Sequence, residues 1–218
     1  MGKAFDLVRI VKTAIRVITS PALFFKEMPR TGGFIEPLVF MIVMGLIGGL
    51  IQAVFGIAGL QQMNLEMDAI SFIMMLTILI VVSGFVAAAI YFIIWKLMGS
   101  QESFETAYRC NAYISALIPI TAVLNLFPYV NQIVSVFLIT LFLVIATVQV
   151  HNQPVKKAWL VFGILGLIFM VASIASESAL RHLQGTGMDM QENLQELYNI
   201  NKETNKALLS SIKWQGMK

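Results

Sequence analysis

Charged side chains are absent from four long stretches of this 218-residue sequence. No Asp, Glu, Lys or Arg occurs between Glu36 and Glu66, between Asp68 and Lys96, between Arg109 and Lys156, or between Lys157 and Glu177. A charge at the centre of a bilayer costs several kcal/mol, so a hydrocarbon environment selects for stretches of this kind. The absences therefore predict a protein that crosses a membrane several times.

Several classes of chemistry are excluded by what else is missing. The single cysteine, Cys110, rules out an intramolecular disulfide. The histidines, His151 and His182, lie on opposite sides of the topology predicted below, so they cannot share a metal ion. The sequence contains no glycine-rich phosphate loop, no G-x-S-x-G element and no pair of intramembrane aspartates. We therefore predict no catalytic residues, no metal site and no cofactor, and a protein that is not an enzyme.

The apolar residues that are present suffice for five membrane spans. They make up 58% of the sequence and charged residues 12%, whereas globular proteins are nearer ~45–50% and ~25%. One span takes about 20 mainly apolar residues. The stretch after Arg109 is too long for one helix, and the turn-rich segment 125–131 divides it. We predict an all-α, polytopic membrane protein, with a membrane domain at 37–180. It is a five-transmembrane-helix bundle with spans at 37–60, 70–97, 106–126, 131–151 and 155–180.

The positions of the basic residues predict the orientation of this bundle. Residues 1–36 carry six of them, while the loops after the first and third spans carry none. By the positive-inside rule the N-terminus is cytoplasmic, and five spans put the tail at 181–218 on the opposite side. The net charge of +3 is explained by this sorting and indicates no nucleic-acid partner.

Residues 1–36 are predicted to form amphipathic and interfacial helices on the cytoplasmic side. The first helix gathers its apolar residues on one face: Ala4, Leu7, Val8, Val11, Ala14, Ile15 and Ile18. Arg9, Lys12 and Arg16 occupy the other face. A basic face beside an aliphatic one is typical of helices that lie on an anionic leaflet. Packing against the ends of the spans is the alternative, and the two arrangements are compatible.

The third predicted span is the least apolar of the five. Its candidate polar groove consists of Arg109, Asn111, Tyr113, Ser115, Pro119 and Asn125. Proline removes a backbone hydrogen bond and kinks a helix, so this span is expected to face protein or water rather than lipid. One interpretation is a groove between the second, third and fourth spans. The other, which we favour, is hydrogen bonding between helices with an interfacial pair between Glu105 and Arg109.

Small residues in the first span predict close helix packing. Gly45, Gly49 and Ala53 recur every four residues, a spacing that lets helix backbones approach closely. Packing inside the monomer is the default, and homo-oligomerisation is the alternative.

The segment 181–218 is predicted to be an amphipathic helical tail outside the membrane. Glu177 and Arg181 lie one turn apart at the end of the fifth span and are expected to form a local pair. The glycines of Gly185-Thr186-Gly187 predict a turn ahead of the tail helix.

A family resemblance is carried by the residues that lead into the first span. They are Ser20-Pro21-x-x-Phe24-Phe25-x-x-Met28-Pro29, then Gly32-Gly33 and Glu36-Pro37-Leu38. This stretch resembles the entry to the Yip domain family, the Ypt/Rab-GTPase-interacting integral membrane proteins and their prokaryotic relatives. Tyr113 and Ile118-Pro119 are similar to the tyrosine and proline of that family's third helix. The resemblance covers roughly residues 18–180.

What the resemblance implies is membrane organisation or trafficking without catalysis, with five spans and a cytoplasmic N-terminus. Eukaryotic members carry a longer cytosolic N-terminal region with an Asp-Leu-Tyr-Gly-Pro element, and this chain has neither. It therefore resembles the prokaryotic branch, located in a plasma or inner membrane, and the departure argues against a GTPase partner.

The expected function is membrane organisation or scaffolding through contacts with anionic lipids and with proteins, including other copies of the chain. The alternative is a small-solute transporter or channel that uses the polar groove of the third span.

Overall fold

The computed structural model describes residues 7–60 and 68–215, and every regular element in these ranges is helical. The helices are α1 (Leu7–Thr19), α2 (Pro21–Glu27), α3 (Ile35–Ile57), α4 (Ala69–Leu97), α5 (Phe104–Ile114), α6 (Ile118–Leu124), α7 (Pro128–Gln149) and α8 (Val155–Gln215). The chain divides into two compact units, Met1–Met170 and Val171–Lys218.

Helix starts follow local side-chain chemistry. Asp68 precedes α4 and accepts a hydrogen bond from the Ser71 amide at 2.9 Å. Ser103 precedes α5 and accepts one from the Thr106 amide at 3.3 Å. Both contacts satisfy amides that a first helical turn leaves without partners. Pro128 opens α7, at a position where a missing amide hydrogen costs nothing.

Four helices are long and apolar enough to cross a membrane, among the residues that the structure describes. They are Ile35–Ile57, Ala69–Leu97, Tyr129–Gln149 and Val155–Ser176. These ranges correspond to the first, second, fourth and fifth predicted spans. The third predicted span, 106–126, is not one continuous helix, because α5 ends at Ile114 and α6 begins only at Ile118.

Pro119 explains the break between α5 and α6. A proline has no amide hydrogen, so it cannot donate to the carbonyl of Ser115, four residues earlier. The Ile118 amide donates to that carbonyl instead, and residues Ser115–Leu117 tighten into a single 3-10 turn. The sequence predicted a kinked helix at this proline. The structure has two short helices instead, α5 and α6, joined by the 3-10 turn.

The α5–α6 segment runs beside α3 in the same direction. The ring of Phe40, near the start of α3, packs on the ring of Tyr113, near the end of α5, with centroids 5.2 Å apart. Further along, Gly48 faces Ile118. We call the end of the bundle where α3 begins the proximal end, and the opposite end the distal end.

Gly45 and Gly49 of α3 face α4, which runs in the opposite direction. A Cβ on Gly45 would lie 3.5 Å from the Thr77 Cα, and one on Gly49 would lie 3.4 Å from the Ile73 Cα. Ala53 is buried further along α3. The three residues singled out for helix packing thus contribute to contacts inside this chain.

Helix α2 is a wedge between α5 and α7. The Phe24 ring packs on Tyr113 with centroids 5.0 Å apart, and the Phe25 ring meets Phe142 at 6.4 Å. Phe24, Phe25 and Met28 are all buried. Burying a large side chain of this kind contributes about 1.5–3 kcal/mol, so α2 anchors the N-terminal region to the proximal end.

The turn predicted at Gly185-Thr186-Gly187 is wrong, because α8 continues through these residues to Gln215. A glycine lowers helix stability by about 1 kcal/mol, which is too little to end a helix that is favoured on both sides. The predicted pair between the Glu177 and Arg181 side chains lies outside the described residues, as do residues 61–67.

We expect Gly48→Ala to lower the free energy of unfolding by about 1–3 kcal/mol, because the added Cβ would lie 2.5 Å from Ile118 Cγ2. Thermal unfolding in detergent, followed by circular dichroism, measures the change. The matched control is Gly163→Ala, whose Cβ would meet only a Trp159 ring carbon at 3.7 Å. The control should be neutral or slightly stabilising, since alanine favours helix. Equal effects of the two substitutions would contradict the close contact of α3 with α6.

Candidate functional site

A buried arginine joins the middle of α5 to the loop before α3. The Arg109 side chain is 1% exposed. Its Nη1 donates to the Gly33 carbonyl at 2.9 Å, and its Nη2 lies 3.6 Å from a Glu36 carboxylate oxygen. A buried guanidinium is strongly destabilising unless it is paired and hydrogen-bonded, so these contacts hold α3 and α5 at a common depth.

The same loop is held along the first turn of α5. The Gly33 amide donates to Glu105 at 2.6 Å, and the Thr106 hydroxyl donates to the Arg30 carbonyl at 3.0 Å. Arg30 also forms an ion pair with Glu102. Residues 30–36 are therefore fixed to α5 by backbone and side-chain contacts together.

The predicted pair between Glu105 and Arg109 is replaced by contacts with this loop. Glu105 accepts from the Gly33 amide, and Arg109 uses the Gly33 carbonyl and Glu36. The loop reaches both because Gly32 and Gly33 have φ angles of 129° and 85°, a region that glycine enters without steric cost. In the sequence, the Gly32-Gly33 pair is the feature that indicates this backbone bend.

Glu36 also holds the first helix. Its carboxylate accepts from Arg9 at 2.9 Å on one oxygen and faces Arg109 with the other. A second ion pair joins Arg16 of α1 to Glu27 of α2. Two of the three basic residues predicted to contact lipid are thus paired with carboxylates of the protein itself.

Helix α1 presents three faces instead of the two that its sequence predicted. One face packs on the bundle: Ile10, Ala14, Val17 and Ile18. A second is apolar and exposed, from 47% at Val11 to 61% at Val8, and consists of Leu7, Val8, Val11 and Ile15. The third carries Arg9, Lys12 and Arg16. The predicted apolar face therefore divides into a packed part and an exposed part, while Ala4 lies outside the described residues.

The basic face of α1 contains a depression of about 390 Å³. The residues that line it are Val8, Arg9, Lys12, Thr13 and Arg16. Arginine, lysine and threonine side chains all offer hydrogen-bond donors, and no carboxylate is among the lining residues. Hydrogen-bond donors therefore predominate among the side chains that line the depression.

The polar residues of the third predicted span have partners within the protein. Asn111 Nδ2 donates to the Gly84 carbonyl of α4 at 2.8 Å, and the Ser115 hydroxyl donates to the Ala112 carbonyl. Asn125 accepts from Asn131 at the turn into α7. Tyr113 packs between aromatic rings, and Pro119 opens α6. The Asn111 bond to α4 is of the kind that joins helices in membranes, whereas the Ser115 bond stays within its own segment.

A second polar cluster, which the sequence analysis missed, joins the end of α4 to the loop after α7. The indole of Trp95 stacks on the His151 ring with centroids 3.9 Å apart and donates to the Thr147 hydroxyl at 2.8 Å. The His151 Nδ1 and the Ser100 hydroxyl are 2.7 Å apart. The Lys157 ammonium donates to the Met98 carbonyl at 2.6 Å, which ties the start of α8 to the same place. No periodic pattern in the sequence predicts this cluster, because its residues come from segments that are far apart in the chain.

Burial, with the positive charges of Arg30 and Lys96, lowers the pKa of His151 to about 3. His151 lies beyond the end of α7, outside the candidate span. The folded protein thus keeps this imidazole neutral through a pH range in which the unfolded chain binds a proton. Among the described residues, no group of three or more His, Cys, Asp or Glu side chains could hold a metal ion.

The family model named Yip1 domain matches residues 15–176 of this chain. The chain belongs to the Yip1 domain family. No curated protein and no solved structure matches it. The Yip1 domain match begins within α1 and includes all four candidate membrane helices, so the protein is a multi-pass membrane protein of the Yip type.

The residues that carried the Yip1 resemblance have defined places in the fold. Phe24, Phe25 and Met28 form the buried face of the α2 wedge. Gly32 and Gly33 form the bend that meets Arg109. Tyr113 packs against α2 and α3, and Pro119 opens α6.

The low pKa of His151 predicts that the protein becomes less stable as the pH falls from about 6.5 towards 3. In this window the unfolded chain takes up a proton that the folded chain does not, and above about 6.5 the contribution is complete. At pH 5 the loss amounts to at most about 2 kcal/mol in the free energy of unfolding.

His151→Asn is the matched variant, since an amide can still bond to Ser100 but does not titrate between pH 5 and 7. Unfolding measured at pH 7 and pH 5 should show a smaller pH dependence in the variant than in the wild type. An identical pH dependence would show that His151 takes up no proton on unfolding in this range.

Proposed function

We propose that the protein organises its membrane without catalysis, through lipid and protein contacts made at the proximal end of the bundle. The observation that carries the proposal is the exposed apolar face of α1, which adjoins both the basic face and the face that packs on the bundle. A helix with this arrangement is suited to lie in the plane of a membrane interface beside the spans.

Five crossings are supported by the course of α5 and α6. Arg109 meets Gly33 just before α3, and Ile118 meets Gly48 near the middle of α3. Arg109 lies level with the start of α3, and at about 1.5 Å per residue the part of the segment from 109 to 124 measures roughly 24 Å. Together with the turn at 125–127, this part can reach the far side of a hydrocarbon core that is about 30 Å thick.

The proximal end is the cytoplasmic end in this proposal. It carries the basic residues of the bundle that the structure describes: Arg9, Lys12, Arg16, Lys26, Arg30, Lys96, Arg109, Lys156 and Lys157. Basic residues beside membrane spans are retained on the cytoplasmic side. The N-terminus then lies in the cytoplasm, and an odd number of crossings puts the tail on the other side of a plasma or inner membrane.

The two leaflets would meet different surfaces of the protein. At the cytoplasmic end, α1 and α2 add to the cross-section of the bundle, and Leu7, Val11 and Ile15 are exposed to enter the leaflet. At the distal end, the short turn 125–127 joins α6 to α7. An apolar helix that enters one leaflet alone displaces lipid there, which is a physical means of ordering or bending a membrane.

We expect a spin label at Val11→Cys to lie in lipid and one at Lys12→Cys to lie in water. In liposomes, collision rates with oxygen, which dissolves in hydrocarbon, should be high at position 11. Collision rates with a water-soluble nickel chelate should be high at position 12. The adjacent positions form a matched pair, and Cys110 is buried and can be replaced by alanine.

Two results would contradict the proposal. If both labels report water, α1 lies in the cytosol and the proposed leaflet contact fails. If the reconstituted protein passes a small solute, and Asn111→Leu abolishes that flux, the transporter interpretation replaces it. Asn111 is the residue to test, because it joins α5 to the backbone of α4.

A further inference from the structure

The three basic residues of α1 are not equivalent. Arg9 is paired with Glu36 at 2.9 Å, and Arg16 is paired with Glu27. Lys12 lies between them along the same face of the helix, and it forms no ion pair within the described part of the chain. Of the three basic residues of α1, Lys12 is therefore the one that no carboxylate of the described residues pairs.

Thr13, beside Lys12, has a hydroxyl that is free to donate. Threonine in a helix commonly returns its hydroxyl to the carbonyl four residues earlier, as Thr19 does to Ile15 at 2.8 Å. Thr13 makes no such bond, nor any other side-chain hydrogen bond, within the residues that the structure describes. It is half-buried and lines the depression together with Lys12.

We propose that this depression binds the phosphate of an anionic phospholipid headgroup, with Lys12 and Thr13 as the specific contacts. The proposal rests on the proposed function, because it needs α1 to lie in the leaflet. Arg9 and Arg16 also line the depression, and each is paired with a carboxylate of the protein. The Lys12 ammonium and the Thr13 hydroxyl together match the acceptor oxygens of a phosphate.

Lipid is favoured over free phosphate because of what borders the depression. Val8 both lines it and belongs to the exposed apolar face, which continues through Val11 and Ile15. A bound headgroup would thus sit where its acyl chains can follow an apolar surface into the leaflet. A soluble anion would gain nothing from that surface.

Specific binding differs from a general attraction of basic residues to an anionic leaflet. General attraction depends on the number of charges near the surface, so any exposed lysine at this end contributes about equally. Lys26 of α2 provides the comparison, since it is exposed at the same end and does not line the depression. A headgroup site predicts that Lys12 matters and Lys26 does not.

The experiment uses the full chain in nanodiscs of equal parts phosphatidylglycerol and phosphatidylcholine. Native mass spectrometry of the released protein measures the ratio of the two lipids that stay bound. We expect a phosphatidylglycerol preference that falls roughly fivefold in Lys12→Ala and about threefold in Thr13→Val. Lys26→Ala should leave the ratio unchanged, and all three variants should keep the wild-type circular dichroism spectrum.

Three results would overturn the headgroup site. Equal losses in Lys12→Ala and Lys26→Ala would indicate general attraction, and an unchanged ratio in every variant would remove Lys12 and Thr13 from lipid binding. Displacement of the bound lipid by millimolar glycerol 3-phosphate would make a soluble phosphate the ligand. In each case a lipid-exposed label at position 11 would still support the proposed function, so the two proposals can fail separately.

Discussion

The buried guanidinium of Arg109 is the constraint on which the rest of the membrane domain depends. A charge of this kind cannot lie at mid-membrane without a large cost, and here it is held by the Gly33 carbonyl and Glu36 just where α3 begins. Helix α5 must therefore start at the same end as α3. From that point it runs beside α3, and Asn111 and Ile118 meet α4 and α3 at successive depths.

The same contacts position the N-terminal helices. Glu36 binds Arg9 as well as Arg109, so one carboxylate joins α1, α3 and α5. The aromatic wedge of α2 then fills the space between α5 and α7, with Phe24 on Tyr113 and Phe25 near Phe142. Helix α1 buries one face against the bundle, and its remaining apolar residues stay exposed beside a basic face that carries two ion pairs.

Some of this fold could be predicted from the sequence because the physics is local. The stretches without charged residues predicted the four long apolar helices, and Pro119 predicted a disruption within the third predicted span. Contacts between distant segments could not be predicted in the same way. A spacing of four residues predicted a pair of Glu105 with Arg109, but the loop at Gly33 competes for both side chains. The stack of Trp95 on His151 likewise joins positions that no sequence period relates.

The central claim is that the segment 104–124 crosses the membrane, with the proximal end in the cytoplasm. Single cysteines at Phe127 and Leu97, both exposed, test it in intact cells whose chain has Cys110 replaced by alanine. A membrane-impermeant maleimide should label Phe127→Cys from outside and should label Leu97→Cys only after the cells are opened. If Phe127→Cys were protected in intact cells and labelled only in opened ones, the segment would return to the cytoplasmic side and the five-crossing account would be wrong.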